Sequence, residues 1–165
     1  MSTLTNDGIR RSLINCSKGD AKRMTIADHV DPTDLDTVEF IGWHDPRMPQ
    51  RAYLVTRHLD TLVGILLRPA AGGARRTAMC ALCRTTHTNG EVSLYTAPRA
   101  GAAGRDGNSV GTYICDDLAC PITTRLEKAP SPTVVPDLSH PVAERITGLR
   151  ARLDAFLHSI QKPRD

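Results

Sequence analysis

Aromatic side chains are scarce in this chain, with two Phe, one Trp and three Tyr among 165 residues. Leucine, isoleucine and valine must therefore build most of any core. Long apolar runs are missing as well. The longest, Leu62 to Leu67, contains Gly64 and stops at Arg68, far short of the roughly 20 residues a membrane-spanning helix needs. The opening MSTLTNDGIRRS has no apolar stretch of the kind a secretory signal carries. These absences point to a cytoplasmic protein. No Gly-rich phosphate loop, no His-Glu-x-x-His and no nucleophile signature is present. His44, His58 and His140 stand isolated, so the chain reads as a non-enzyme. A dominant charge is lacking too. The formal net charge of +3 is too small to imply nucleic acid by itself but suits an acidic partner surface.

What is there has the length of one domain, or of a core with appended helices. Residues 1–30 read as an N-terminal helix and connector. The helix spans roughly Leu4 to Cys16, capped by Asn6 or Asp7 and ended by Ser17-Lys18-Gly19-Asp20. Residues 31–165 read as the main domain. Asp31-Pro32-Thr33-Asp34 is a turn or helix start. Strands follow at Thr37–Trp43, Arg51–Arg57 and Thr61–Leu67, the last two joined at His58-Leu59-Asp60. A flexible connector, Pro69 to Ala74, leads into the cysteines. Glu91–Thr96 and Val110–Ile114 read as a further strand pair around a loop at Pro98–Ser109. Asp116–Lys128 reads as a helix with Pro121 in its first turn. The C-terminal helix, residues 140–161, is capped by Ser139. Its apolar stripe runs Val142, Ile146, Leu149, Leu153, Phe156 and Ile160, with Arg145, Arg150 and Arg152 off the stripe. The fold class is α+β: a small mixed domain of antiparallel strands with a C-terminal amphipathic helix.

The five cysteines divide unevenly. Cys80 and Cys83 are separated by two residues, Cys115 and Cys120 by four, and Cys16 stands alone. In a reducing compartment this pattern favours a metal over disulfides. Zinc takes four soft donors in a tetrahedron, and Cys80, Cys83, Cys115 and Cys120 supply them at accepted spacings. A knuckle, a hairpin and a helix closing the site make a treble clef over residues 78–128. The 31 residues between the pairs exceed a common zinc ribbon. A Zn²⁺ ion with four thiolates carries a formal charge of −2, so donors are needed nearby, from backbone amides and from Arg84 or Arg76. His87 reads as a loop residue and Cys16 as a small apolar helix residue.

Cys80-x-x-Cys83, Val92-Ser93-Leu94-Tyr95-Thr96, Thr112-Tyr113-Ile114-Cys115-Asp116 and Cys120 resemble the C-terminal treble-clef domain of FusB-type, fibronectin-binding-protein-like elongation factor G-binding proteins. Glu39-Phe40-Ile41-Gly42-Trp43, Asp45-Pro46-Arg47 and Arg51-Ala52-Tyr53-Leu54-Val55 resemble actinobacterial members. The resemblance covers about residues 30–160. It implies a non-catalytic protein with structural Zn²⁺ that binds elongation factor G and promotes its release from the ribosome, some members thereby protecting translation from fusidic acid. The resistance proteins carry an N-terminal helical bundle, where only one short helix is expected here. On this likeness the partner-binding candidates flank the metal: Arg84, Tyr95, Arg99, Arg105 and Tyr113. The alternative is a ribosome- or RNA-binding structural zinc protein, its phosphate contacts drawn from Arg-rich loops and from a basic helix carrying Arg145, Arg150 and Arg152.

Overall fold

Two hydroxyl caps organise the N-terminal segment. Thr5 accepts from the Gly8 amide at 3.0 Å and starts α1, Asn6–Ser12. The cap thus lies just ahead of the Asn6 or Asp7 expected. Ser17 accepts from the Asp20 amide at 3.0 Å and starts α2, Lys18–Arg23. The segment expected to end one helix therefore begins another. The computed structural model describes residues 5–70 and 76–161. The Leu4 start of the expected helix and residues 71–75 of the connector lie outside the described residues.

A 3₁₀ turn over Pro32–Asp36, capped by Asp31, precedes the sheet. Strands β1 (Phe40–His44), β2 (Ala52–His58) and β3 (Thr61–Pro69) form an antiparallel meander. Leu59 and Asp60 turn between β2 and β3 with positive φ of 48° and 64°, the handedness a two-residue hairpin needs. Two short strands follow, β4 (Ala78–Met79) and β5 (Thr86–His87). The long hairpin comes next: β6 (Val92–Pro98), a one-turn α3 (Ala102–Arg105) at its tip, and β7 (Ser109–Cys115). Helix α4 covers only Cys120–Thr124, then come β8 (Val134–Val135) and α5 (Val142–Gln161). The larger sheet has the order β1-β2-β3-β6-β7, and the smaller β4-β5-β8.

Period-two alternation sends β2 and β3 to two different cores. Ala52, Leu54, Val63, Ile65 and Leu67 face α5, where Leu149, Leu153, Phe156, Leu157 and Ile160 meet them beside the four clustered cysteines. Tyr53, Val55, Leu62 and Leu66 face the other way, onto Ile9, Met24, Leu35 and Trp43. The N-terminal segment closes this second layer. Its Ile14 amide donates to the Gly64 carbonyl at 3.0 Å. Buried Asn15 donates to the Leu66 and Pro98 carbonyls, 3.0 Å each, and accepts from the Leu66 amide at 2.7 Å.

Three local expectations are corrected. Asp116–Lys128 is not one helix: Leu118 takes a left-handed φ of 57°, which breaks any helix before Cys120. The loop at Pro98–Ser109 contains α3. Ser139 does not cap α5, because the helix begins only at Val142 and the cap position falls on Pro141, whose carbonyl accepts from the Arg145 amide at 3.0 Å.

Candidate metal centre

The first thiol pair sits on a knuckle between β4 and β5. The Cys80 amide donates to the Thr85 carbonyl at 2.9 Å, and the Arg84 amide to the Cys80 carbonyl at 3.0 Å. Arg84 closes the turn at a φ of 61°. The Leu82 and Cys83 amides point at Cys80 Sγ, 3.4 and 3.5 Å away. Cys115 ends β7 and Cys120 begins α4. Between them the Leu118 amide donates to the Cys115 carbonyl at 2.9 Å and the Ala119 amide to Asp117 at 3.0 Å. Leu118 seats against Gly42 of β1, where a Cβ would stand 2.6 Å from Leu118 Cβ. Only glycine allows that approach. The Asp116 carbonyl accepts from His44 Nε2 and from the Tyr95 hydroxyl, 2.7 Å each. A carbonyl cannot donate, so His44 is protonated on Nε2. Glu39 and Arg125 form a two-pronged pair at 2.8 Å per bond, joining the sheet to the end of α4. That bond to Glu39 holds the Arg125 pKa up, against burial.

The two thiol pairs converge. Cys80 and Cys120 sulfurs are 3.6 Å apart, Cys83 and Cys115 sulfurs 3.5 Å, and all four lie within 4.8 Å of one another. All four residues are buried. A disulfide needs about 2.05 Å, whereas a tetrahedron with bonds of about 2.3 Å has edges near 3.8 Å. The donor set therefore fits one tetrahedral ion. Its electrostatics ask for one as well. Hydrogen bonds from Cys115 and Cys120 push the Cys83 and Cys80 thiols down. Cys120 is pushed up by Cys115, Cys80, Cys83 and burial. At Cys115 the Cys120 bond lowers the pKa, but Cys80, Cys83 and burial override it upward. Without a cation the four sulfurs cannot all be thiolates; a divalent ion removes that conflict and displaces their protons. The centre is a structural Zn²⁺ site. With four protein sulfurs it keeps no open position for substrate.

A family model described as the FBP C-terminal treble-clef zinc-finger matches residues 8–160. The chain belongs to this family. No curated protein matches it. In this FBP treble clef the thiolates have further neighbours, of which the sequence points to His87 but not to Thr123. Thr123 donates its hydroxyl towards Cys83 Sγ at 3.4 Å. His87 lies in β5, not in a loop, with its Nε2 3.5 Å from Cys115 Sγ and its Nδ1 3.4 Å from the Glu91 carboxylate. The signal for His87 was the knuckle itself: a strand leaving it must run back past the second thiol pair. Cys16 lies beyond the end of α1, and burial, aided by Asp20, pushes its thiol up.

The five partner-binding candidates of the FBP domain separate. Tyr113 is 52% exposed, and Arg84 and Arg105 are exposed. Arg99 is half-buried and donates to the Ser159 carbonyl at the end of α5. Tyr95 is a correction. It is 0% exposed, and burial together with Asp116 and Asp117 pushes its hydroxyl pKa up. Its role is to hold the Asp116 turn. The helix arginines are a second correction. Arg145 donates to the Leu126 and His140 carbonyls, and Arg150 to Thr56 Oγ1, Arg57 O and Glu39 O. Arg152 donates to the Leu82 carbonyl. Arg145 and Arg150 thus spend their guanidiniums on the protein's own carbonyls and on Thr56, and Arg152 is engaged through its Nε, so these side chains turn inward where solvated phosphate contacts were expected. Among the described residues no helix is long and apolar enough to cross a membrane.

Proposed function

We propose that this chain binds elongation factor G through the face its metal organises and so modulates release of the factor from the ribosome. On this reading the protein does no chemistry, works in the cytoplasm, and links to fusidic acid tolerance through the same contact. The unit assigned to the role is residues 31–165, with the finger at 78–128 and the helix at 140–161, behind an N-terminal segment at 1–30. The observation that carries the reading is the distribution of exposed apolar side chains. Met79, Tyr113, Ile122, Val135 and Leu138 are each 45% exposed or more. Met79, Tyr113 and Ile122 lie in the finger, Val135 pairs with its strand β5 and Leu138 follows three residues on, whereas the remaining large exposed apolar residue described, Leu59, sits at a hairpin turn. Met79 and Val135 pair with Thr86 from either side, so the three share one face of the smaller sheet. Arg84 and Tyr113, residue types favoured as interface anchors, are exposed in the same stretch.

Calorimetric titration of the zinc-loaded chain with purified elongation factor G tests this. Saturable binding is expected, weakened about ten-fold or more in Arg84→Ala/Tyr113→Ala, which corresponds to at least about 1.4 kcal/mol. No detectable heat and no co-elution with folded, zinc-loaded protein would sink the reading.

A further inference from the structure

A cleft of about 270 Å³ lies between the knuckle and the start of α5, lined by Cys83, Arg84, Arg145 and Arg152, with Asp137 and Glu144 also on its wall. Arg145 is occupied by backbone carbonyls. Asp137 accepts from Ser139, and Glu144 lies 3.3 Å from His140. Arg152 is different. Its Nε donates to the carbonyl of Leu82, between the two knuckle cysteines, at 2.6 Å. No acidic side chain is paired with its guanidinium among the ion pairs of the described residues. Burial and then the neighbouring Arg84 push its pKa down, outweighing the opposite pull of Cys83, Cys80 and Asp137.

One residue of α5 exists in a form that suits this placement. Gly148 lies inside a 20-residue helix, where glycine is among the poorest choices. A Cβ at Gly148 would stand 2.8 Å from Arg152 NH1 and 3.0 Å from NH2. The guanidinium thus folds back over the bare backbone of Gly148, one turn earlier, towards the knuckle. An external anion is not needed to explain the cleft. Four thiolates around a dication leave two negative charges in its wall, and Asp137 and Glu144 add two more against three arginines.

We propose that Arg152, seated over Gly148 and assisted by Arg84, is the positioning residue that neutralises the metal–thiolate centre and ties α5 to the knuckle. Outer-shell groups of this kind typically change metal affinity ten- to a hundred-fold. The desolvated charge explains why an arginine occupies the position, its delocalised cation being less costly to bury than an ammonium.

Zinc dissociation constants of the full chain, measured by competition with a chromophoric chelator, decide the matter. Arg152→Gln should bind zinc about ten- to a hundred-fold more weakly, and Arg152→Lys should recover part of the loss. Arg150→Gln, which removes an arginine of the same helix bound to β2 and the residue before β1, should bind as the parent does. Cobalt-loaded Arg152→Gln should also shift its thiolate-to-metal charge-transfer band. Where Arg152→Gln fails to fold, Arg152→Lys, which keeps the charge without the planar fork, reads the proposal through the same two measurements. Parental zinc affinity in folded Arg152→Gln, or an equal loss in Arg150→Gln, overturns the assignment.

Discussion

Asp45 shows how much a single side chain can hold. It is 1% exposed and accepts from the Arg47 and Met48 amides at 2.8 and 3.0 Å. Its other oxygen accepts from the Thr25 amide and the Tyr53 hydroxyl at 3.1 Å each. Burial alone would raise its pKa, but these four donors outweigh it and hold the carboxyl below the ordinary range. In turn burial and Asp45 push Tyr53 up to about 12. A folded pKa below the unfolded one stabilises at pH values above the unfolded value, and that contribution is lost as pH falls through the folded value. Asp45→Asn should therefore cost about 1.5–3 kcal/mol in urea unfolding at pH 7. The gap to the parent should close as pH drops below about 4, and an unchanged gap at pH 3 would refute the charge argument. The tyrosines show what one strand's composition conceals. Tyr95 pairs with Thr112, so Tyr113 falls on the opposite face of the hairpin. The two cannot serve one contact surface, and which is buried depends on α5 and the sheet, not on either residue's type.

At the level of elements, α5 was the most legible part of the chain, because its apolar spacing repeats over five turns. Leu149 and Leu153 of that stripe are 0% exposed. Leu153→Ala should lower stability by about 2–5 kcal/mol, while exposed His158→Ala on the same helix should stay within about 0.5 kcal/mol; denaturant titration measures both. Strands β2 and β3 were equally readable from their apolar runs and the turn between them. Helix α4 was not, since nothing in Asp116-Asp117-Leu118-Ala119 announces a left-handed leucine; that conformation is fixed by the seat at Gly42. The inward turn of Arg145, Arg150 and Arg152 was hidden for another reason. An amphipathic pattern counts these as polar, yet a long aliphatic stem carries the guanidinium to buried carbonyls.

For the whole molecule, the metal decides stability. A structural zinc ion supplies on the order of 10–16 kcal/mol of apparent binding free energy in small peptides, against a total of about 5–15 kcal/mol for a typical domain. Removing it with a strong chelator should abolish amide hydrogen-exchange protection across residues 78–128. Unchanged protection there after verified zinc loss would contradict a structural role. The convergence of two thiol pairs was legible from their spacing, whereas the floor beneath them was not, since it comes from residues 39–44, distant in sequence.

That floor limits how far the finger can be moved as a separate piece. Glu39, Gly42 and His44 each meet a residue of the 116–125 stretch. A cassette cut at residues 78 and 128 and transplanted onto another scaffold would carry every sulfur but leave this foundation behind. A graft of the finger must therefore bring the first strand and Glu39 with it if the 116–125 stretch is to keep its partners.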